Sequence, residues 1–265
     1  MSKKLPQALW AMPVLSLLFA APSWGQSLSA SVLPLSRSVQ VGTPATAFAT
    51  IINAGPGTAF GCRPALATNL PAAFAYQTTD PTTNQVTGTP NTPANIQAGA
   101  SQSFVFALTP SAPIPSTDVA FNFSCANAAP APTLPSVNTF LLTASLAAGP
   151  DIVALATTPS GDGVINVGGT GETGAFAVAT VNVGAGGTIA VSADTDGVSL
   201  PLTLAICQTM PVNGACVGTP TGGSLTVSFG ANATPTFGIF VTASAGSRST
   251  PRTTASSSGF GTGAG

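Results

Sequence analysis

The sequence repeats itself with a period of about 130 residues, and this internal repeat limits the chain to two copies of one fold. The segment YQTTDPTTNQVTGTP, which begins at Tyr76, returns as CQTMPVNGACVGTP from Cys207. The segment GASQSFVFALTPSA, which begins at Gly99, returns as GANATPTFGIFVTASA. Upstream, AFATIINAG ends at Gly55 and is echoed by AFAVATVNVG. A period of this length is about one small domain, so the sequence predicts two similar domains in series.

The repeat and the composition divide the chain into four parts. Residues 1–25 contain two lysines, an apolar run and small residues before Gln26, which is typical of a cleaved secretory signal peptide. We expect a first β-sandwich domain over residues 26–149 and a second over residues 150–246, which is incomplete if the tail hypothesis below is right. Residues 247–265 form a disordered or frameshifted tail. The signal's apolar run is too short for a membrane span, and no later stretch reaches the roughly 20 apolar residues that a spanning helix needs.

The composition favours short strands over helices or disorder. Apolar residues make up 44% of the chain and the net charge is −1, which excludes the low hydrophobicity and high charge of disordered proteins. Stretches rich in Val, Thr, Phe and Ala, punctuated by Gly, Pro and Asn, are typical of strands and turns in an all-β sandwich. In the first copy we expect strands at 28–33, 37–41, 45–53, 59–66, 73–78, 101–109, 118–125 and 138–146. In the second we expect strands at 152–157, 163–167, 175–183, 188–193, 200–208, 225–229 and 236–244.

Alternation of apolar and polar residues assigns strand faces in the first copy. Counting alternate positions along the strand expected at 59–66 puts Phe60 and Cys62 on one face, and this face points inward. The bulky side chains at alternate positions of two further strands should also face the core: Phe104, Phe106, Leu108, Val119, Phe121, Phe123 and Cys125.

Four cysteines in an exported chain predict two disulfides. Of the three connectivities that four cysteines allow, the sequence favours Cys62 with Cys125 and Cys207 with Cys216. The second pair brackets a hairpin, and the repeat places Cys207 opposite Tyr76, so one copy staples a hairpin that the other leaves to side-chain packing. The alternative is a redox or metal site, which would need a reactive cysteine spacing or histidine partners.

Acidic residues concentrate in the second copy, where they suggest turns or a calcium site. Asp162 lies in Gly-Asp-Gly, and Asp194 and Asp196 lie in Asp-Thr-Asp-Gly. Spaced carboxylates followed by glycine occur in calcium loops, although neither segment has the full spacing of an EF-hand loop. Asp-Gly is also a common turn dipeptide. Turn chemistry is the favoured interpretation, calcium is the alternative, and no other cofactor is expected.

The residue inventory excludes several classes of function. The chain has no histidine, and its two lysines lie in the predicted signal peptide, so a Ser-His-Asp triad and, after cleavage, a lysine base are both excluded. No Gly-x-Ser-x-Gly motif occurs. The arginines are not clustered as a nucleic-acid partner would require. Both tryptophans lie in the signal and one tyrosine remains, so stacking platforms for sugars are scarce. Paired acids, as in glycosidases, are the one catalytic arrangement left open. The sequence indicates a protein that is not an enzyme and binds no nucleic acid.

A short pattern occurs at the same place in both copies. ATIINAGPGTA and ATVNVGAGGTI share an apolar residue, any residue and then Asn-x-Gly. This pattern resembles bacterial immunoglobulin-like surface modules of the DUF11 and CARDB kind, and the whole mature chain resembles exported proteobacterial tandem β-sandwich proteins. The resemblance implies two tandem immunoglobulin-like β-sandwich domains and an exported location, with no reaction attached.

These observations lead to one expected function and one alternative. We expect a secreted protein, extracellular or periplasmic, that is a structural or adhesive module and acts through contact with a surface or extracellular protein. The alternative is a calcium-dependent or glycan-binding module that uses the acidic loops of the second copy.

The tail breaks the repeat. After residue 244 the repeat requires a counterpart of 118–125, a strand with inward Phe residues, but the tail is polar and of low complexity. Presumed codons read one base earlier give an apolar pattern there, which favours a frameshift; a genuine flexible tail is the alternative. If the frameshift is right, the second sandwich lacks its closing strands, and Phe237, Ile239 and Val241 border an exposed groove open to a donated strand.

Overall fold

The structure, a computed structural model, describes residues 27–195 and 197–244. All regular structure in these residues is β: there are sixteen strands and no helix. The described part of the chain therefore has no helix long and apolar enough to cross a membrane. The predicted signal peptide, Asp196 and the tail lie outside the described residues. The all-β prediction is confirmed.

One layer of the first copy is a four-stranded antiparallel sheet in the order β1-β3-β7-β5. Its inward residues alternate with outward ones along each strand, as half-buried antiparallel sheets require. The ten strands of this copy are β1 (Leu28–Leu33), β2 (Ser36–Gln40), β3 (Ala45–Asn53), β4 (Ala59–Leu66), β5 (Ala72–Thr79), β6 (Ala94–Ile96), β7 (Ser101–Pro110), β8 (Ile114–Val119), β9 (Phe121–Ser124) and β10 (Phe140–Ser145).

The second layer is built around the stretch formed by β8 and β9, which only Ala120 separates. β9 pairs with β4, which also pairs with β6, and β8 pairs with β10, which also pairs in parallel with β2. Aromatic rings join the layers: Phe106 of β7 lies 4.8 Å from Phe121 of β9 and 5.4 Å from Phe140 of β10, measured between ring centroids. Stacked sheets around an aromatic core are consistent with an immunoglobulin-like β-sandwich.

The second copy repeats the first layer and part of the second. Its four-stranded sheet has the order β11-β12-β16-β14, which matches β1-β3-β7-β5, and β13 pairs with β15 as β4 pairs with β6. Among the described residues no strand corresponds to β8, β9 or β10. The six strands are β11 (Ile152–Thr157), β12 (Thr173–Asn182), β13 (Gly187–Val191), β14 (Leu202–Thr209), β15 (Leu225–Phe229) and β16 (Thr236–Ala243).

Each copy has its own cluster of buried apolar side chains. In the first, Ala47 of β3 pairs with Phe106 of β7. In the second, Phe176 of β12 pairs with Ile239 of β16. The phenylalanine of this pair thus lies on β7 in the first copy and on β12, the counterpart of β3, in the second, and isoleucine replaces alanine as its partner.

The Asn-x-Gly pattern ties each sheet to its turns through a fully buried asparagine. Asn53 ends β3, and its Oδ1 accepts a hydrogen bond from the backbone N–H of Gly55 at 3.0 Å. Its Nδ2 donates to the backbone oxygens of Gly57 at 2.7 Å and Ile96 at 3.0 Å. A buried amide must find such partners, so the pattern is structural in both copies. In the second copy, Asn182 donates to Ala185 and Gly230 and accepts from Gly184 and Asp151.

A charged contact fixes the start of the second copy to the first. Asp151 has a side chain only 5% exposed, and its Oδ2 lies 2.8 Å from Nη2 of Arg37 in β2. Its Oδ1 accepts a hydrogen bond from the backbone N–H of Ser38 at 2.9 Å. Arg37 also donates to the backbone oxygen of Thr46 at 2.8 Å. The carboxylate of Asp151 therefore accepts a hydrogen bond from a backbone N–H of β2 and balances the positive charge of Arg37.

The predicted strand at 163–167 does not form, and the strand expected at 188–193 is β13, which ends at Val191. Ile165 and Val167 of this segment nevertheless pack against the second core. Aligning Ile165-Asn166-Val167-Gly168 with Val39-Gln40-Val41-Gly42 places these residues at the end of β2 and directly after it, and β2 pairs only with β10. Without a counterpart of β10 among the described residues, 163–167 has side-chain packing but no strand partner.

Phe60 does not share a face with Cys62, contrary to the prediction. Cys62 is fully buried, whereas Phe60 is 51% exposed. The register of β4 against β6 shifts between Ala59 and Cys62, and Gly61 in between has φ +61°. A β-bulge of this kind puts one extra residue into the strand and turns Phe60 outward.

Three further expectations need correction. The predicted strand at 118–125 is divided between β8 and β9, and two strands, β6 and β8, lie largely or wholly outside the predicted ones. β6 is only three residues long, too short for alternation to reveal it.

The side chains expected to border an exposed groove, Phe237, Ile239 and Val241, are buried in the second core, where Ile165 and Val167 pack against the same cluster.

Candidate functional site

The acidic loop around Asp162 is a turn. Oδ1 of Asp162 accepts hydrogen bonds from the hydroxyl of Ser160 at 2.5 Å and from the backbone N–H of Val164 at 2.8 Å. These two bonds, the hydroxyl first, lower the pKa of Asp162. Among the described residues no group of three His, Cys, Asp or Glu side chains could hold a metal ion. Asp196 lies outside them, so a calcium site with Asp194 and Asp196 stays a prediction.

The first copy has a polar hairpin, residues 77–87, whose tip is held by an aspartate. The backbone N–H of Asn84 donates to the backbone oxygen of Asp80 at 2.8 Å, and Asn84 has φ 57°, which asparagine tolerates better than most residues. Oδ1 of Asp80 accepts hydrogen bonds from the backbone N–H groups of Thr83 and Thr82, each at 2.8 Å. These bonds, that from Thr83 first, lower the pKa of Asp80. The tip is therefore charged and hydrophilic.

The second copy has a stapled hairpin, residues 207–217, with the same backbone. The N–H of Gly214 donates to the backbone oxygen of Met210 at 2.8 Å, and Gly214 has φ +71°. Asn84 and Gly214 hold the same place in the two loops, and the left-handed backbone conformation of each closes the same kind of turn. Here Cys207 and Cys216 are joined by a disulfide. The covalent bond holds the two arms of the hairpin together.

The register corrects the predicted alignment of the two hairpins by one residue. Thr79 and Thr209 end the corresponding strands β5 and β14, and each hydroxyl bonds to a hydroxyl on the facing central strand. Two residues before them stand Gln77 and Cys207, so Cys207 corresponds to Gln77 rather than to Tyr76. The first copy uses this position for a hydrogen bond across the hairpin, because Nε2 of Gln77 donates to the backbone oxygen of Gly88 at 2.8 Å.

The tips of the two hairpins differ in chemistry. The stapled hairpin exposes Val212 to 88%, Val217 to 65% and Met210 to 40%. No Asp, Glu, Lys or Arg occurs in the sequence between Asp196 and Arg248. The stapled hairpin is thus an apolar, uncharged projection on a fixed backbone, where the first copy has an acidic and hydroxylated one.

The other disulfide lies in the core. Cys62 of β4 is joined to Cys125, which follows β9, and both are buried. This bond ties the two strands at the centre of the second layer of the first copy. All four cysteines of the chain are paired in the structure, in the connectivity favoured from the sequence.

Sequence reasoning missed the stapled hairpin as a candidate site, although the repeat contains the signal. Aligning the loops on their shared proline places Met210 opposite Asp80 and Val212 opposite Thr82. Two changes from polar to apolar at a turn tip conflict with ordinary turn composition. Such a conflict between local rules and sequence is expected at functional sites.

The fold defines an all-β protein with stacked, mainly antiparallel sheets, consistent with the immunoglobulin-like kind. No family model matches the sequence and no curated protein matches it, so the resemblance to DUF11 and CARDB modules stays a prediction. Among solved structures, a chain of a chaperone–tip adhesin complex in CFA/I fimbriae biogenesis aligns with 77% of this chain and 90% of its own length, at 12% identity and a TM-score of 0.22. A similarity this low does not assign a function.

Proposed function

We propose that the protein is an exported, non-catalytic module that acts by contact with another protein through the stapled hairpin. The observation that carries this proposal is Val212, 88% exposed at the tip of a disulfide-closed loop. Burying apolar surface contributes about 25 cal/mol per Å². A loop that is already fixed loses little conformational entropy when it binds. Burial of the stapled hairpin in an interface is therefore favoured over its exposure to solvent, because it removes apolar surface from water at a small cost in conformational entropy.

Export and the lack of catalysis are supported by the residue inventory. Two disulfides persist in oxidising compartments outside the cytoplasm, and residues 1–25 have the pattern of a secretory signal. The chain has no histidine, and its lysines lie within that signal. Acid–base catalysis most often depends on histidine, so a contact function accounts for this composition better than an enzymatic one.

The chemistry of the hairpin specifies its partner surface. An uncharged tip with Met210 and Val212 fits an apolar pocket on a protein and has no charge for electrostatic attraction. Binding should therefore change little with salt, because screening acts on charges. It should also show a negative heat-capacity change, the mark of apolar burial.

Site-specific photocrosslinking tests the proposal. The full chain would be expressed in its native cells with a benzoylphenylalanine replacing Val212, and in a matched chain with the same residue replacing Thr82, the equivalent position of the polar hairpin. We expect an adduct with one protein at position 212 and none at position 82. Mature chains should begin at Gln26, as N-terminal sequencing would show.

Two results would contradict the proposal. One is equal crosslinking at positions 212 and 82, or at neither, because the hairpins differ in tip chemistry and share a backbone. The other is an adduct at position 212 with lipid or glycan instead of protein. A further variant without crosslinker, Met210→Asp with Val212→Thr, gives the stapled hairpin the polar tip of the first copy. It should bind the protein identified by crosslinking at least about tenfold more weakly.

A further inference from the structure

We propose that the second copy binds a β-strand donated by another protein, at the position that β9 and β10 occupy in the first copy. The site consists of the residues that follow β13, 192–195, which hold the place of the β4 residues that pair with β9, and residues 163–167. This inference goes beyond the proposed function, because it rests on the internal repeat and does not depend on the stapled hairpin.

The first argument compares β4 with β13. β4 pairs with β6 between Ala59 and Cys62 and with β9 from Arg63 to Leu66. β13 pairs with β15, and no strand of residues 27–195 or 197–244 pairs with the residues that follow it. Val191 ends β13 where Cys62 stands in β4, since Val191 pairs with Leu225 and Cys62 with Ala94 at equivalent places. β4 continues beyond that point only alongside β9. β13 therefore stops where its missing neighbour would begin.

The second argument compares β2 with residues 163–167. β2 is held by parallel pairing with β10, from Ser36 opposite Leu141 to Gln40 opposite Ser145. Residues 163–167 bring Ile165 and Val167 to the core but form no strand. Two separate stretches of the second copy thus fall short of strand structure, each at the place where the first copy uses β9 or β10. One missing strand pair explains both.

The first copy shows which partner fits. β9 reads Phe-Asn-Phe-Ser, and both Phe121 and Phe123 are buried in the core. The donated strand should therefore be extended, with aromatic side chains at alternate positions. Residues 245–265 contain a single large apolar residue, Phe260, so they lack this alternation. The β9 of a second copy of this chain is already fixed in its own core by the Cys62 to Cys125 disulfide.

A peptide with the sequence of residues 117–126, carrying Cys125→Ser, is the probe for this site. It would be added to the full mature chain, and backbone hydrogen exchange would be measured by mass spectrometry. We expect exchange at 192–195 to slow at least about tenfold, with no change at 63–66, where β9 is already paired. The melting transition of the second copy should rise by roughly 5 °C at saturation. The control peptide, with Phe121→Ser and Phe123→Ser, should have no effect.

Three outcomes would overturn the inference. The first is that the peptide leaves exchange at 192–195 unchanged at saturating concentration. The second is that those amides are already as protected in the free chain as those of 63–66. The third is that the peptide binds only a truncated chain that ends at Ser244, which would show that residues 245–265 fill the site in the full chain. The variant Met210→Asp with Val212→Thr should bind the peptide normally. The strand site and the stapled hairpin can thus fail separately.

Discussion

Asn53 and Asn182 are the residues on which the two copies depend in the same way. Each side chain is fully buried and joins the end of a central strand to the turn that follows and to the loop before the next central strand. A buried amide without partners destabilises a fold by about 1–3 kcal/mol for each unmade hydrogen bond. The Asn-x-Gly pattern in the sequence is therefore explained by packing and hydrogen bonding, and it carries no chemistry of its own.

Tyr76 is the single tyrosine of the chain and gives a direct report on the first core. Burial raises its pKa above the ordinary value of 10.0, and the positive charge of Arg63 opposes this effect. Its hydroxyl donates to the backbone oxygen of Asn91 at 3.0 Å. Because the folded chain favours the protonated phenol, this contribution to stability is complete below the unfolded pKa and is lost as the pH rises through the folded one.

Spectrophotometric titration of tyrosinate checks this prediction. The midpoint should be higher in the folded chain than in the same chain in denaturant. Arg63→Met should raise the folded midpoint further, because it removes the cation that stabilises the phenolate. Equal midpoints in folded and denatured chains would show that Tyr76 is solvated, which would contradict its place in the core.

At the scale of the elements, the two hairpins show how one backbone is held in two ways. A disulfide that closes a loop of nine residues stabilises by about 2–3 kcal/mol. The hydrogen bond of Gln77 at the same position contributes about 1 kcal/mol. We expect Cys207→Ser with Cys216→Ser to lower the free energy of unfolding by about 2–3 kcal/mol, and Gln77→Ala by about 1 kcal/mol.

Urea unfolding of the two variants measures both effects. The double cysteine variant should shift only the transition of the second copy, and Gln77→Ala only that of the first. If the loss of the disulfide leaves the second transition unchanged, the stapled hairpin is not held by this bond and the argument for its rigidity fails.

Most strands could be predicted from the sequence because alternation and turn residues are local signals. β1, β3, β4, β11 and β15 have the predicted bounds. The errors arise where pairing with a segment distant in the sequence decides whether a strand forms and which way its side chains face. Residues 163–167 have the pattern of a strand, but a strand also needs a neighbour. Phe60 follows the alternation until the bulge at Gly61 reverses it. The stapled hairpin was missed because exposure of Val212 is a property of the folded chain.

On the scale of the whole molecule, we propose that the two copies are two domains joined at Asp151. Each has its own apolar cluster, and the contact between Asp151 and Arg37 fixes the short connection between them. Removing one partner leaves a buried charge without compensation. We expect Arg37→Met to weaken this contact and to expose residues 146–150.

Limited proteolysis of the full chain tests this arrangement. Cleavage within 146–150 should give two resistant fragments, and Arg37→Met should speed it about tenfold or more, since a loss of about 1.4 kcal/mol is a factor of ten. Arg63→Met is the control, because Arg63 is exposed and lies away from this contact. A single resistant core that includes Gly149 in both variants would argue for one continuous unit.

The central claim is that residues 150–195 and 197–244 contain no counterpart of the strand partners that complete the first copy, and hydrogen exchange of the free chain tests it most directly. Residues 37–41 and 163–167 align through Val-Gln-Val-Gly and Ile-Asn-Val-Gly, and of the two segments only the first overlaps a strand, β2, which pairs with β10. We predict strong protection of the amides that β2 bonds to β10 within 36–40, and exchange close to that of an unstructured chain at 163–167. Equal protection of the two segments would contradict the account, because it would show that residues 163–167 already have a strand partner.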